Sequence, residues 1–130
     1  MEPNIFYIWK EKTVISDRTI ARTSEPINFE GFNKIIFGLT VHTTTNRQHI
    51  HSLTFEHSST AETDNADAWA TINPLSSGGS LNFPGTTDYT IYDFLPYVRV
   101  SYNQVVPSGA TNSTVGAEIS IIGHAFESKG

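Results

Sequence analysis

Short apolar runs separated by turn residues dominate the chain, and no stretch shows the 3.6-residue period of an amphipathic helix. The clearest run is NKIIFGLTVHT, residues 33–43. Its odd positions are all large and apolar: Ile35, Phe37, Leu39 and Val41. Its even positions are mostly polar or small. This alternation predicts a strand with one face in a hydrophobic core.

Other runs predict further strands, at residues 5–9, 13–15, 50–58, 68–72, 89–92, 97–102 and 115–126. Polar turns are predicted at 44–47 and 107–114, and the strand at 50–58 is expected to return antiparallel after the first of them. Pro and Gly punctuate the longest predicted loop, residues 73–88. Gly123 suggests a bulge in the last strand. In the polar stretch before residue 32, Ile20, Ile27 and Phe29 are the expected inward anchors.

The fold class that follows is all-β. We expect one domain over residues 1–130, a β-sandwich or jelly roll of about 7–9 antiparallel strands. Residues 1–15 are expected to form an N-terminal arm or an edge strand, because they are apolar at first and then charged.

Composition narrows the function classes. The 130 residues include no cysteine, which excludes disulfides, thiolate metal sites and a cysteine nucleophile. The net charge is −5 and the few cations are scattered, so we expect no nucleic-acid partner. No apolar run approaches the ~20 residues of a membrane span. The N-terminus MEPNIFYIWKEK lacks the features of a secretory signal, so synthesis in the cytoplasm is expected.

Residues 49–59, HIHSLTFEHSS, concentrate histidines on one strand. His49, His51 and His57 share parity with Leu53 and Phe55, which marks their side as the buried one. His49, His51 and Glu56 form an H-x-H-x4-E pattern that resembles the first motif of cupins.

That resemblance implies a metal site, with His49, His51, Glu56 and His57 as candidate ligands. However, Thr43 and Thr63 stand where the cupin motif has glycines, and Glu56 has the opposite parity. The alternative interpretation is structural, with His49 and His51 solvated near the turn and His57 closing the far end of the strand. We favour it, and expect no cofactor.

Other candidate sites each have a structural alternative. Four residues of the loop 59–67 carry ligand-type oxygens, which suits either calcium or a solvated loop: Glu62, Asp64, Asn65 and Asp67. Trp69 suits either sugar stacking or burial. Arg99 is expected to pair with a carboxylate across strands. No hydrolase, zincin or P-loop motif is present, so we expect no enzymatic activity.

Three phrases in order resemble small β-sandwich proteins of tailed-phage particles, especially head decoration (cement) proteins. They are ISDRTIARTSEPINFEGFNKIIFGLTVHT, SLTFEHSSTAETDNADAWATI and LPYVRVSY. The resemblance spans residues 16 to 126. It implies a non-enzymatic homotrimer on the virion surface that binds the major capsid protein, or another virion protein, and stabilises the capsid.

The apolar N-terminal segment supplies the predicted partner interface. Its members are Ile5, Phe6, Tyr7, Ile8 and Trp9. An edge strand of this kind invites pairing with another chain. Three alternatives stay open: a tail or fibre domain that binds carbohydrate, a cupin-like metalloprotein, and an unrelated β-sandwich interaction module.

Overall fold

The computed structural model describes residues 3–15, 19–44, 49–82, 84–105 and 116–127. Within them lie ten strands and one turn of 3₁₀ helix at Ala66–Ala68. The strands are β1 Asn4–Ile15, β2 Ile20–Thr23, β3 Ile27–Asn28, β4 Phe32–Thr44, β5 Ile50–Ser58, β6 Ala70–Ile72, β7 Ser76–Ser77, β8 Gly85–Tyr92, β9 Tyr97–Val105 and β10 Gly116–Glu127. Most of the turn predicted at 44–47 and all of that at 107–114 lie outside the described ranges.

Two antiparallel sheets pack face to face. The first sheet has the order β1-β10-β4-β8-β7, and the second has the order β2-β9-β5-β6, with β3 also paired to β9. Apart from the short β3 and β7, this is the strand order of a jelly roll, in which the chain crosses repeatedly between the sheets. The predicted all-β sandwich is confirmed. The ten strands exceed the expected 7–9 because the count includes β3 and β7, which are only two residues long.

The core lies between the sheets and is built from the inward positions that alternation predicted. Ile35, Phe37 and Leu39 of β4 are fully buried. Phe29 is also fully buried and contacts four other rings edge to face: Phe6, Phe32, Phe37 and Phe94. Ile20 and Ile27 pack against the same core, as expected for inward anchors.

Four local predictions are corrected. The two N-terminal pieces are one strand, β1, interrupted by two register shifts. β5 does not return along β4; it lies in the second sheet between β9 and β6. The predicted loop 73–88 contains β7, a bridge from Leu81 to His51 and the start of β8. Gly123 is not at a bulge, and a side chain there would meet the Phe37 ring at 3.1 Å.

Candidate functional site

The histidine strand is β5, and its register with β9 is continuous from Ile50 to Ser58. His49 and His51 point between the sheets and are fully buried, so the expectation that they are solvated is wrong. The reason is that the segment 78–82 covers this end of the sandwich, with backbone hydrogen bonds joining His51 and Leu81 in both directions. Strand parity was right, but nearness to a turn did not imply exposure.

His51 is held by Tyr102 of β9. The Tyr102 hydroxyl lies 2.5 Å from His51 Nδ1, and the two rings stack with 5.8 Å between centroids. Burial, and then the nearby His49, lower the pKa of His51 from 6.5 to about 4. Burial raises the pKa of the Tyr102 hydroxyl. Both groups are therefore neutral at pH 7.

His49 has both ring nitrogens buried, and neither has a hydrogen-bond partner among the described residues. Such groups cost about 1–3 kcal/mol each, unless a water or an ion satisfies them. No group of three or more His, Cys, Asp or Glu side chains able to hold a metal occurs among the described residues. In particular, Glu56 faces away from His49 and His51, because no bulge changes its parity. The cupin-like ligand set is therefore not brought together.

Glu56 belongs instead to the outer face of the second sheet. Arg99 Nε donates to Glu56 Oε1 at 2.9 Å, from the directly opposite position on β9. The predicted cross-strand pair of Arg99 is thus confirmed. The Arg99 guanidinium also lies 4.3 Å from the Trp69 ring centroid.

Trp69 is buried beneath the acidic loop and outside the cluster of core residues between the sheets. Its indole N–H donates to the Glu62 carbonyl at 2.8 Å. Since Trp69 is only 6% exposed, it offers no platform for stacking a sugar. In the same loop, the Asn65 side chain accepts from the Asp67 N–H and caps the 3₁₀ turn.

His57 lies near the opposite end of β5 from His49. Its Nδ1 accepts a hydrogen bond from the Leu95 N–H at 3.0 Å. Burial lowers the pKa of His57, which favours the neutral ring that this acceptor role requires. The histidine therefore ties β5 to the segment between β8 and β9.

The predicted interface segment in β1 divides between two faces. Phe6, Ile8 and Trp9 pack against the protein's own core. Ile5 and Tyr7 point away from it and are 52% and 56% exposed. β1 lies at the edge of the first sheet, paired on one side with β10. Two of the five predicted contact residues are thus exposed, and the other three are partly buried against the core.

Ile5 and Tyr7 continue into an apolar patch across four strands of the first sheet. Register places Tyr7 opposite Ile122, and Ile5 opposite His124, which in turn lies opposite Ile36. The next row joins Phe126, Lys34 and Tyr92. We define the apolar patch as the outward, at least partly exposed side chains of Ile5, Tyr7, Ile36, Tyr92, Ile122 and Phe126, with His124 among them.

Lysines border this patch. Lys10 Nζ lies 5.0 Å from the Tyr7 ring centroid, and Lys34 Nζ lies 5.0 Å from that of Phe126. Lys12 lies over Trp9 at 4.1 Å. These are all the lysines in the described part of the chain, and none of them forms an ion pair there. In a chain of net charge −5, two of these lysines, Lys10 and Lys34, thus lie beside rings of the apolar patch.

The other half of the same outer face carries polar side chains, several of which hydrogen-bond to one another. The Thr40 and Thr86 hydroxyls lie 3.0 Å apart, and His42 Nε2 lies 2.7 Å from Ser120 Oγ. Ser120 also donates to the Lys10 carbonyl. The apolar patch is therefore confined to one half of the face.

Sequence reasoning missed most of this patch, although a signal was present. The doublets Ile35-Ile36 and Ile121-Ile122 break the alternation of their strands, because each places an isoleucine on both faces of the sheet. An apolar residue at an outward position is ordinary by itself. Only the register, which places Tyr7 opposite Ile122 and Ile36 in the adjacent row opposite His124, turns separate exceptions into one surface.

No protein-family model matches this chain, and no curated protein matches it significantly. The resemblance to phage decoration proteins therefore stays a prediction. The described residues include no helix with the length and apolar character needed to cross a membrane. Jelly rolls occur in viral capsid proteins, lectins and cupins, so this fold alone does not choose among the functions considered.

Proposed function

We propose that this chain is a non-enzymatic structural protein of a phage particle, which binds the outside of the capsid and stabilises it. The observation that carries the proposal is the apolar patch on the first sheet. Contiguous exposed apolar surface on a soluble domain marks an interaction site. The patch combines Ile5 and Tyr7 of the edge strand β1, each about half exposed, with outward residues of β10, β4 and β8.

The titratable groups support a non-catalytic role. Shifted pKa values point to function when they occur in an accessible cleft. Here His51, Tyr89 and Tyr102 are at most 3% exposed, and burial is the first cause of each shift. Their hydrogen bonds join strands: Tyr89 donates to the Gly79 carbonyl and accepts from the Leu53 N–H. Buried hydrogen bonds of this kind stabilise the core and leave these groups out of reach of a substrate.

The phage assignment itself rests on the sequence resemblance, whose second and third phrases lie in the second sheet. The second phrase forms β5, the acidic loop and β6, and the third ends in β9. These strands are neighbours in the second sheet, where Glu56, Arg99 and Trp69 contact one another. The first sheet is then free to face the capsid, while the polar second sheet faces solvent.

The proposal includes a homotrimer at local three-fold positions, with the major capsid protein as partner. Three patches on one trimer bind with a high effective concentration, even if each contact is weak. Such a bridge would resist separation of neighbouring capsomers. This part follows from the resemblance and from the modest size of the patch.

The first test is a density gradient of lysate from the source, probed with an antibody to this protein. We expect the signal to travel with full-size particles. A signal that stays entirely with soluble protein would contradict the proposal.

A binding test locates the surface. The double variant Ile36→Thr, Ile122→Thr keeps β-branched side chains but removes the apolar centre of the patch. We expect it to bind particles at least tenfold more weakly. The matched control is Ile50→Thr, Val105→Thr, a directly opposed apolar pair on the outer face of the second sheet. Equal losses in both variants would contradict the assignment of the patch.

A further inference from the structure

The two halves of β1 differ in how their free edge is protected. From Asn4 to Tyr7 the strand pairs with β10 in continuous register and carries no charged side chain. Beyond Tyr7 come two register shifts and the run Lys10-Glu11-Lys12. Bulges and lysines are the devices by which proteins prevent an edge strand from pairing with other chains. The first half lacks them and also exposes Ile5 and Tyr7.

We propose that a partner protein in the particle donates an extended segment that pairs with residues 4–8 of β1 as an additional strand of the first sheet. The segment carries apolar side chains at alternate positions, which lie beside Ile5 and Tyr7. Residues that flank it cross the apolar patch, and their carboxylates meet Lys10 and Lys34. This inference rests on the proposed function and specifies the chemistry of its partner.

Charge complementarity selects an acidic segment. Lys10 and Lys34 lie over the aromatic rings of the patch and have no ion pair within the described residues. A basic segment would meet like charges at both edges of the patch. An acidic one gains two attractive contacts at the rim, where they would contribute mainly to orientation and association rate.

Area argues against a second copy of this chain as the occupant. Of the six apolar patch residues only Ile5, Tyr7 and Tyr92 are well exposed, at 52%, 56% and 38%, whereas a stable dimer buries ~800 Å² per partner. Two copies joined through this surface alone would associate weakly. A repeating surface, in contrast, offers many equivalent segments to one oligomer, so weak single contacts suffice.

Hydrogen exchange distinguishes strand addition from docking on the face alone. The probe is DNA-free particles of the source that lack this protein, mixed with the full chain. In an added strand, alternate N–H groups of residues 4–8 become hydrogen-bonded to the new neighbour. We expect exchange of at least two amides in this segment to slow tenfold or more on binding. If the protein binds but these amides are unchanged, strand addition is wrong and the proposed function stands. If the wild-type protein does not bind, both are wrong.

Two matched pairs of variants test the chemistry. Ile5→Lys places a charge in the unprotected half, and we expect at least a tenfold loss of binding with little change in melting temperature. Thr13→Lys makes the same addition at an exposed position of the protected half and should bind normally. Equal losses would overturn the assignment to residues 4–8.

Lys10→Glu should weaken binding about fivefold or more at low salt, and the loss should shrink at high salt. Arg22→Glu makes the same charge change at an exposed residue of β2, on the second sheet. If Arg22→Glu weakens binding as much, the acidic character of the partner segment is wrong.

Discussion

The two outer faces of this sandwich differ, although each covers the same core. On the second sheet, outward side chains bond to one another across strands: Glu56 to Arg99, Thr54 to Asn103, and Thr23 to Ser101. On one half of the first sheet, the outward positions are isoleucines and aromatic rings. The outer face of the second sheet is thus held by polar contacts between its own strands, whereas the patch on the first leaves apolar area exposed.

The difference suits a division in which inward positions carry the fold, while the outward positions of the two sheets are free to differ. Both inner faces are buried in the shared core, so they cannot distinguish a solvated outer surface from a covered one. The outward residues can, because nothing in the fold requires Ile36 or Ile122 to be apolar. The following predictions test this separation.

The largest effect of a single substitution is expected at two adjacent residues of β1, Phe6 and Tyr7. Phe6→Ala should lower the free energy of unfolding by about 2–3 kcal/mol, because Phe6 packs on Phe29 with 4.7 Å between ring centroids. Tyr7→Ala should cost less than about 1 kcal/mol, since Tyr7 is 56% exposed. Urea unfolding measures both. Equal costs would mean that the patch stabilises the fold itself, and the contrast between the faces would fail.

Low pH should lower the stability of the whole sandwich, because His51 is buried in the core that both sheets share. The pKa of His51 is about 4 in the folded protein, against 6.5 for a freely solvated histidine. A lowered histidine pKa means that the fold prefers the neutral ring. Stability is therefore full above pH 6.5 and falls toward pH 4, by about 3 kcal/mol in total. The lowered pKa of His57 acts in the same direction.

Denaturant titrations at several pH values measure this acid sensitivity. His51→Gln should reduce the dependence of stability on pH between 6.5 and 4. If the dependence is the same in His51→Gln as in the wild type, the buried histidine is not its source.

A smaller effect is expected from the ion pair on the second sheet. A double-mutant cycle of Glu56→Gln and Arg99→Gln should give a coupling of about 0.5–1 kcal/mol, because both side chains are partly exposed. Arg99→Gln alone should cost more than Glu56→Gln alone, since only Arg99 also contacts Trp69. A coupling near zero would mean that Glu56 and Arg99 do not stabilise each other. The outer face of the second sheet would then be polar without being stabilised by this cross-strand pair.

The smallest effects on stability are expected from paired hydroxyls, which occur on both faces. Thr40→Val with Thr86→Val, and Thr23→Val with Ser101→Val, should each change the free energy of unfolding by about 0.5 kcal/mol or less. Only the first pair enlarges the apolar patch. Sedimentation velocity should therefore show more self-association for the variant at Thr40 and Thr86. Equal self-association of the two variants would contradict the difference between the two outer faces.

Local sequence rules predicted some features and could not reach others. Parity placed His49 and His51 on the inner face and Glu56 on the outer one, because the two-residue period of a strand needs no information from elsewhere. It could not show that residues 78–82 cover the histidines, since Leu81 is thirty positions from His51. The expectation of solvated histidines failed for that reason. Likewise, composition predicted an apolar interface in residues 5–9 but not which of these side chains face outward.

The sequence by itself determined that this protein is an all-β domain with a core lined by alternate residues, and that β5 carries its histidines on one face. These properties depend on strand periodicity and on burial of apolar area, both of which act locally. Tertiary structure alone decided the jelly-roll strand order, the burial of His49 and His51 at the end of β5 that pairs with Leu81, and the joining of Tyr7, Ile122 and Ile36 into one surface. Each depends on strands far apart in sequence becoming neighbours, and register between them is set by the packed whole.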